Sequence, residues 1–310
     1  MNERLIDMRT WRQFVAVGQE LHFGRAALRL HMTQPPLTQA IAGLEKSLGL
    51  RLFDRTKRSV QLTPAGAALL PEVQDLLARA QLLPAHARAA AAGDVGRLRL
   101  AFVSTVGFSL LPRWVRAFRA QLPGVQLELI EATSDLQLDA LARGDIDAGL
   151  LLHAPAQAPP GLARLRVDSE PLVLALPEQH ALARRAALDW GELVREPLVI
   201  FPRRILPSLY DAIVALYHAA GCAPVVAQEA IQMQTIVNLV SADLGVAWVP
   251  ASVREFQRSG VVYREMPQAV HLPSCETSLV WQGDRTPAPA LERWIAFAQA
   301  AVADAALPAA

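Results

Sequence analysis

Leu37, Ile41, Leu44 and Leu48 recur at spacings of four, three and four, which is the apolar stripe of a 3.6-residue helix. Two prolines, Pro35 and Pro36, stand where that helix begins. Proline costs little in a first turn, whose N–H groups lack intrahelical partners, so the pair marks a start with Thr33 as N-cap. Upstream, "HFGRAALRLHM" predicts a short helix with Ala26, Ala27 and Leu30 on its apolar side and a turn at His31–Met32. Downstream of Gly49, "LRLFDRTKRSVQLTPAG" predicts two short strands around a basic turn, Arg55 to Ser59. Thr63–Pro64 repeats the cap-and-proline signal, opening an Ala- and Leu-rich helix that reaches Ala92–Gly93. Along it Val73, Ala80 and Ala87, and Leu69, Leu76, Leu83 and Ala90, fall seven apart. Such a seam suits pairing with a second helix, and Pro84 within it predicts a kink or an early end.

From Arg97 the texture changes to short apolar runs separated by helical stretches. "LRLAFV", a helix from about Phe108 to Gln121, "VQLELIEA", a helix near Leu136 to Arg143 and "IDAGLLL" form a first set. "PLVLALP", "EPLVIFP", a helix near Leu209 to Ala220, "APVVAQEA", a helix from about Met233 to Ser241 and "LGVAWVP" form a second. "TSLVWQ" and a helix from Ala290 to Ala303 close the pattern. Alternating strand and helix predicts a parallel sheet with helices on its faces.

Charge sharpens the contrast between the two parts. Residues 1 to 60 hold ten Lys and Arg against five Asp and Glu, a balance of +5, whereas the whole chain is +1. The base is concentrated in the first fifth, as expected when one module touches nucleic acid. A chain of 310 residues, 52% hydrophobic, can bury two or three cores. It shows neither an apolar run long enough for a membrane span nor a signal segment at "MNERLIDMRTW", so a cytoplasmic protein with no membrane partner is expected. Cys222 and Cys275 are far apart and lack metal-ligand or CxxC spacing, which reads as buried or inert thiols, with a redox pair as the alternative. No metal or cofactor is expected.

The helix that follows Thr33 turns Pro35, Thr38, Gln39, Ala42 and Lys46 outward, with Gln34 at the edge of that face. An amide can donate and accept at adenine, and a Thr methyl can touch a thymine methyl. Two helices, a tight turn and a basic strand pair therefore predict a helix-turn-helix with a wing. Arg55, Lys57 and Arg58 at the wing would sit on phosphates, which position a protein without specifying sequence.

Trp11 to Gly66, with "WRQFVAVGQELHFGRAALRLHMTQPPLTQAIAGLEKSLGLRLFDRT" and "LTPAG", resembles the DNA-binding module of the LysR-type transcriptional regulators, closest in look to regulators of aromatic-compound degradation. The resemblance implies an α/β chain in three parts. These are a winged helix-turn-helix over 1–62, a linker helix for dimerisation over 63–93, and a two-lobed α/β effector domain over 94–310 that resembles periplasmic binding proteins. Lobe I would take about 97–167 and 270–303, and lobe II about 168–269. It further implies a dimer or tetramer that binds double-stranded promoter DNA, senses a small molecule and meets RNA polymerase. Gln34, Pro35, Pro36, Thr38 and Gln39 would face the groove. Many members carry Arg where this chain has Gln39, so its target sequence is its own.

Ligands of open α/β sheets gather at strand carboxyl ends, where helix N-termini offer free N–H groups. Ser104–Thr105 and Thr133–Ser134 follow the first two strands of the second part; Phe201, Pro202, Arg203 and Arg204 follow a strand of the other lobe, and Gln234 and Thr235 begin a further helix. Each Ser or Thr alone is more often a cap, and Ser134 with Gln137 has capping-box spacing. The resemblance implies that these positions hold an effector carboxylate. Relatives that bind dicarboxylates often have Arg where Leu152 stands, so a monoacid or a less polar aromatic metabolite is expected. An enzyme is disfavoured by the lack of GxSxG, HExxH or a Gly-rich phosphate loop, His153 and His271 being isolated. An architectural DNA protein would be far more basic, and a solute-binding protein would carry a leader. A redox- or partner-responsive regulator without an effector is the remaining alternative.

Overall fold

The computed structural model describes residues 5–56, 59–266 and 272–306. The chain forms two compact units, Met1–Arg88 and Ala89–Ala310.

In the first unit, α1 (Met8–Glu20), α2 (Phe23–Arg29) and α3 (Gln34–Leu48) pack around Phe14, Val17, Ala26, Leu37, Ile41 and Leu44, all buried. Helix α3 starts at Gln34 with Pro35 and Pro36 in its first turn, and Thr33 occupies the N-cap with extended backbone but makes no side-chain cap bond. Proline alone therefore specifies this start. The wing is an antiparallel pair, β1 (Phe53–Arg55) with β2 (Val60–Leu62). Lys57 and Arg58 lie outside the described residues. Helix α4 (Pro64–Ala92) runs through Pro71 and Pro84 without ending, so Pro84 does not shorten it. Leu76, Leu82 and Leu83 along it are exposed.

The second unit is built on a sheet in the order β10-β6-β11-β5-β3-β4, with β9 also paired to β6. Its strands are β3 (Val95–Phe102), β4 (Gly124–Glu131), β5 (Ala148–His153), β6 (Leu162–Pro177), β9 (Ala247–Pro250), β10 (Val261–Arg264) and β11 (Ser274–Gln282). Strands β3, β4 and β5 are parallel, but β11, β9 and β10 join antiparallel. The sheet is therefore mixed, not parallel throughout. The reason is β6, sixteen residues long, which passes through both lobes. From Pro171 onward it is wholly apolar and legible, whereas its first half alternates Leu165 and Val167 with exposed Arg164 and Arg166 and reads as surface loop.

In lobe I the sheet lies between α7 (Ser134–Arg143) on one side and α6 (Leu110–Gln121) with α11 (Pro289–Ala306) on the other. Trp114, Phe118, Trp294 and Phe297 form its aromatic centre, with Phe118 and Trp294 rings 4.8 Å apart edge to face. The helix expected from about Phe108 to Gln121 is α6, and a further short helix, α5 (Ser104–Phe108), precedes it, the two separated at Ser109. Lobe II packs β6 to β10, including the parallel pair β7 (Leu198–Ile200) and β8 (Val226–Glu229), against α9 (Pro207–Ala219) and α10 (Met233–Ser241). Buried Tyr217 accepts a hydrogen bond from Trp248 Nε1 at 3.2 Å there, and burial pushes its phenol up to about 12.

Candidate functional sites

On the first unit, Gln34, Pro35, Pro36 and Gln39 are exposed at the N-terminal end of α3, and Thr38 beside them is half-buried. The Thr38 hydroxyl donates to Gln34 O at 3.1 Å, so its methyl is the group left for an apolar partner. Gln34, Thr38, Arg55, Thr56 and Ser59 line one concavity with Phe23 and Gly24. The recognition-helix start and the wing thus share a surface.

Glu45, which the sequence reading passed over, sets their spacing. Its Oε1 accepts from the backbone N–H groups of Leu52 and Phe53 at 2.9 and 3.0 Å, and its Oε2 accepts from Arg55 Nη2 at 3.0 Å. Arg55 also lies over the Phe23 ring, 4.6 Å from its centroid. Arg55 is therefore a fixed part of the wing root, not a free cation at its tip. A carboxylate seven residues ahead of two buried amides was the available signal.

In the second unit, one cavity of about 40 Å³ lies between the lobes. Ser104, Thr105, Thr133 and Phe201 line it, as the sequence reading expects. The rest of the predicted set stands elsewhere. Arg203 is exposed and held by two 2.7 Å hydrogen bonds to Asp211, which raise its own pKa and lower that of its partner. Thr235 is exposed and Pro202 half-buried outside the lining; Gln234, one residue beyond the lining Met233, buries an Oε1 without a hydrogen-bond partner. Leu152, noted in the sequence for the arginine it lacks, also lines it, as do Ile205, Leu206 and Gln232, which the sequence reading missed. The apolar type of Ile205 and Leu206 pointed only to a core.

The polar groups of this cavity are open. Thr105 is 4% exposed and its Oγ1 has no hydrogen-bond partner. Thr133 and Gln232 are the N-caps of α7 and α10, and neither makes a side-chain cap bond. The capping box of Ser134 and Gln137 does not form, because Ser134 is already the first helical residue. The buried Gln137 amide instead donates to Ala132 O at 2.8 Å. Two helix N-termini, one from each lobe, thus bring unsatisfied N–H groups and partial positive charge to one small space.

Where β6 crosses between lobes, Glu170 accepts from Ser252 N and, at 2.9 Å, from Ser252 Oγ. Burial holds its carboxyl above the usual carboxylate range, against those hydrogen bonds. Cys275 is fully buried beside it and its thiol is likewise pushed up by burial, while Cys222 Sγ donates to Tyr217 O at 3.3 Å. A buried protonated thiol is a poor redox centre. Among the described residues no helix is long and apolar enough to cross a membrane.

A winged helix-turn-helix unit followed by a two-lobed α/β unit with an open cleft defines a class: a DNA-binding protein fused to a ligand-binding fold. Residues 8–67 match the family described as bacterial regulatory helix-turn-helix protein, lysR family, and residues 91–303 match the LysR substrate binding domain. The chain belongs to the LysR family of transcriptional regulators. It is a DNA-binding regulator with a substrate-binding domain, not an enzyme. Among its relatives, the HTH-type transcriptional regulator IlvR of Caulobacter vibrioides is 46% identical over 288 residues, covering 93% of this chain and 95% of that protein. AlsR of Bacillus subtilis is 38% identical, covering 85% and 86%. The solved structure of full-length CbnR complexed with its target DNA matches with a TM-score of 0.76 and 28% identity, covering 96% of this chain and all of that one. Regulators of the look noted in the sequence, such as ClcR of Pseudomonas putida at 34% identity over 80% of this chain and 84% of that protein, are more distant.

Proposed function

We propose that this protein is a cytoplasmic regulator that binds promoter DNA and alters that binding, or contact with RNA polymerase, when a small organic acid occupies the cleft between its lobes. The observation that carries the reading is the convergence on one cavity of two uncapped helix N-termini and the unpartnered Thr105 hydroxyl. Free N–H groups and a positive dipole end favour a carboxylate, and an orphaned buried hydroxyl is costly until a ligand satisfies it. Ser104, Thr133 and Phe201 complete the effector contacts. Arg203, paired with Asp211, stands outside the lining of this cavity.

On the DNA side, Gln34, Thr38 and Gln39 read base edges, Pro35 and Pro36 hold the helix start against the groove, Lys57 and Arg58 serve the phosphates, and Arg55, paired with Glu45, fixes the root of the wing that carries them. The exposed leucines of α4 pair with those of a second copy, since a helix that leaves Leu76, Leu82 and Leu83 in water is short of a partner. An effector that prefers one lobe arrangement shifts DNA affinity by its differential binding, in such systems about 1 to 3 kcal/mol.

The test is fluorescence anisotropy of the full chain on a fragment selected from genomic DNA, with and without a panel of small aliphatic, aromatic and dicarboxylic acids. At least one acid is expected to change the affinity or the footprint, and Thr133→Val to blunt that change while basal affinity stays. An acid-insensitive complex across the panel refutes the reading.

A further inference from the structure

A second pocket lies behind the interlobe cleft. Leu152 and His153 are neighbours on β5, and successive side chains of a strand point to opposite faces. Leu152 lines the cleft, whereas His153 lines a separate pocket with Arg164, Arg166, Glu276 and Ser278. His153 is isolated in the sequence, but antiparallel pairing sets Glu276 of β11 directly opposite it and Ser278 opposite Arg166 of β6. The rest of the lining is two alanines, Ala156 and Ala158, from the loop after β5. Ala154 in that loop donates its N–H to Ser208 Oγ of α9 at 3.1 Å, so the pocket lies where the lobes join.

Polar groups buried on a sheet are costly unless each is satisfied. His153 and Ser278, both 2% exposed, satisfy one another. The ring Nδ1 donates to Ala154 O at 2.8 Å and, in the neutral ring, Nε2 accepts from Ser278 Oγ at 2.9 Å. Neither is left for a ligand. Glu276 differs: its Oε1 accepts from Arg166 Nη1 at 3.2 Å, but its Oε2 stands 3.9 Å from His153 Nδ1, beyond hydrogen-bond reach. Arg164 is exposed, two positions from Arg166 and so on the same face of β6, and makes no hydrogen bond or ion pair among the described residues.

The open valences of the pocket are therefore of both signs, one carboxylate oxygen and one guanidinium. A simple anion would meet Glu276, and a simple cation would meet two arginines; like charges brought together are penalised. A molecule carrying both an ammonium and a carboxylate is matched at both ends. Two alanines offer little apolar surface, so recognition falls on the charged groups and not on a long side chain.

We propose that this pocket binds a small amino acid in its zwitterionic form, with the ammonium on Glu276 Oε2 and the carboxylate on the Arg164 guanidinium. Arg166 keeps its bond to Oε1. Both contacts to the ligand are charge-assisted, and an arginine can meet a carboxylate through two parallel hydrogen bonds. The site is independent of the cleft, since no residue lines both.

The experiment is isothermal titration calorimetry of the full chain with L-alanine, β-alanine, propionate and propylamine, on the wild type, Arg164→Gln and Glu276→Gln. L-alanine and β-alanine differ in the distance between their charges, and at least one of them is expected to bind. Propionate and propylamine, each lacking one charge, should bind at least about fivefold more weakly than that amino acid. Arg164→Gln should weaken it about fivefold, the scale of an exposed pair, and Glu276→Gln at least about tenfold, the scale of a hydrogen bond to a less exposed charge. Arg164 has no partner to lose, so its replacement tests the site without disturbing the fold, and circular dichroism melts check Glu276→Gln. Propionate or propylamine binding as tightly as the amino acid would overturn the zwitterion. Binding that ignores either substitution, or no binding at up to about 10 mM, a decade above a millimolar dissociation constant, would overturn the site.

Discussion

Replacing Glu45 by alanine strands two backbone N–H groups at once. In the native wing root its carboxylate, half-buried, accepts from Leu52 N at 2.9 Å and Phe53 N at 3.0 Å, and both residues are nearly inaccessible to water, at 1% and 2% exposure. A hydrogen bond to a charged group contributes about 1.5 to 3 kcal/mol, and an amide left buried without a partner costs a similar amount. Both amides share one carboxylate, so the two effects are not additive; about 3 kcal/mol is the expected loss for the pair. The ion pair to Arg55, whose side chain is about one-third exposed, adds at most about 1 kcal/mol. Glu45→Gln keeps an acceptor and removes the charge, and should lose about 1 kcal/mol.

Hydrogen exchange read by mass spectrometry on peptides covering residues 45–62 of the full chain measures this locally. At 1.36 kcal/mol per tenfold, Glu45→Ala should speed exchange of the Leu52 and Phe53 amides by about two orders of magnitude, and Glu45→Gln by about one. Affinity for DNA should fall too, because the wing and α3 lose their fixed spacing. If exchange in this segment is unchanged in Glu45→Ala, the carboxylate does not hold the wing and the geometric argument is wrong.

Gln34→Ala and Thr38→Ala should weaken specific DNA binding by roughly 1 to 3 kcal/mol with little loss on random duplex; equal losses on both, read by competition anisotropy, would remove the base-reading role. Gly66→Ala should destabilise the first unit severely, because a Cβ there would sit 2.2 Å from Leu52 O, a backbone atom with no freedom to yield; circular dichroism melts identical to wild type would contradict this. The raised pKa of Glu170 means that the folded chain prefers its protonated form, so this group contributes stability below the ordinary glutamate pKa that is lost as pH rises through the raised value. Glu170→Gln should therefore gain thermal stability relative to wild type at neutral pH but not at acidic pH, and melts across that range showing a parallel offset would refute it.

Much of the first unit was legible because its signals are local. Pro35 and Pro36 can only open a helix, the stripe from Leu37 to Leu48 can only face a core, and both are satisfied within a few residues of chain. Gly66 was legible as part of a motif, but its reason is the carbonyl of Leu52, fourteen positions away. Glu45 reads as an ordinary surface acid of a helix until the strand that needs its oxygens is folded beside it. In the second unit the strands with continuous apolar runs were readable. The amphipathic half of β6 was not, and with it went the antiparallel pairings that make the sheet mixed.

The same division holds at the cleft. Ser104, Thr105 and Thr133 follow strand ends, a position that the order of elements dictates, so the chain itself determined that polar groups would gather there. That Thr105 lacks a partner, that Arg203 is taken by Asp211 and that leucine, isoleucine and methionine close the far end were decided only by tertiary structure. Local patterning specifies which backbone groups a segment must satisfy; which side chain is left unsatisfied, and so free to meet a ligand, depends on every neighbour that folding brings within hydrogen-bond distance.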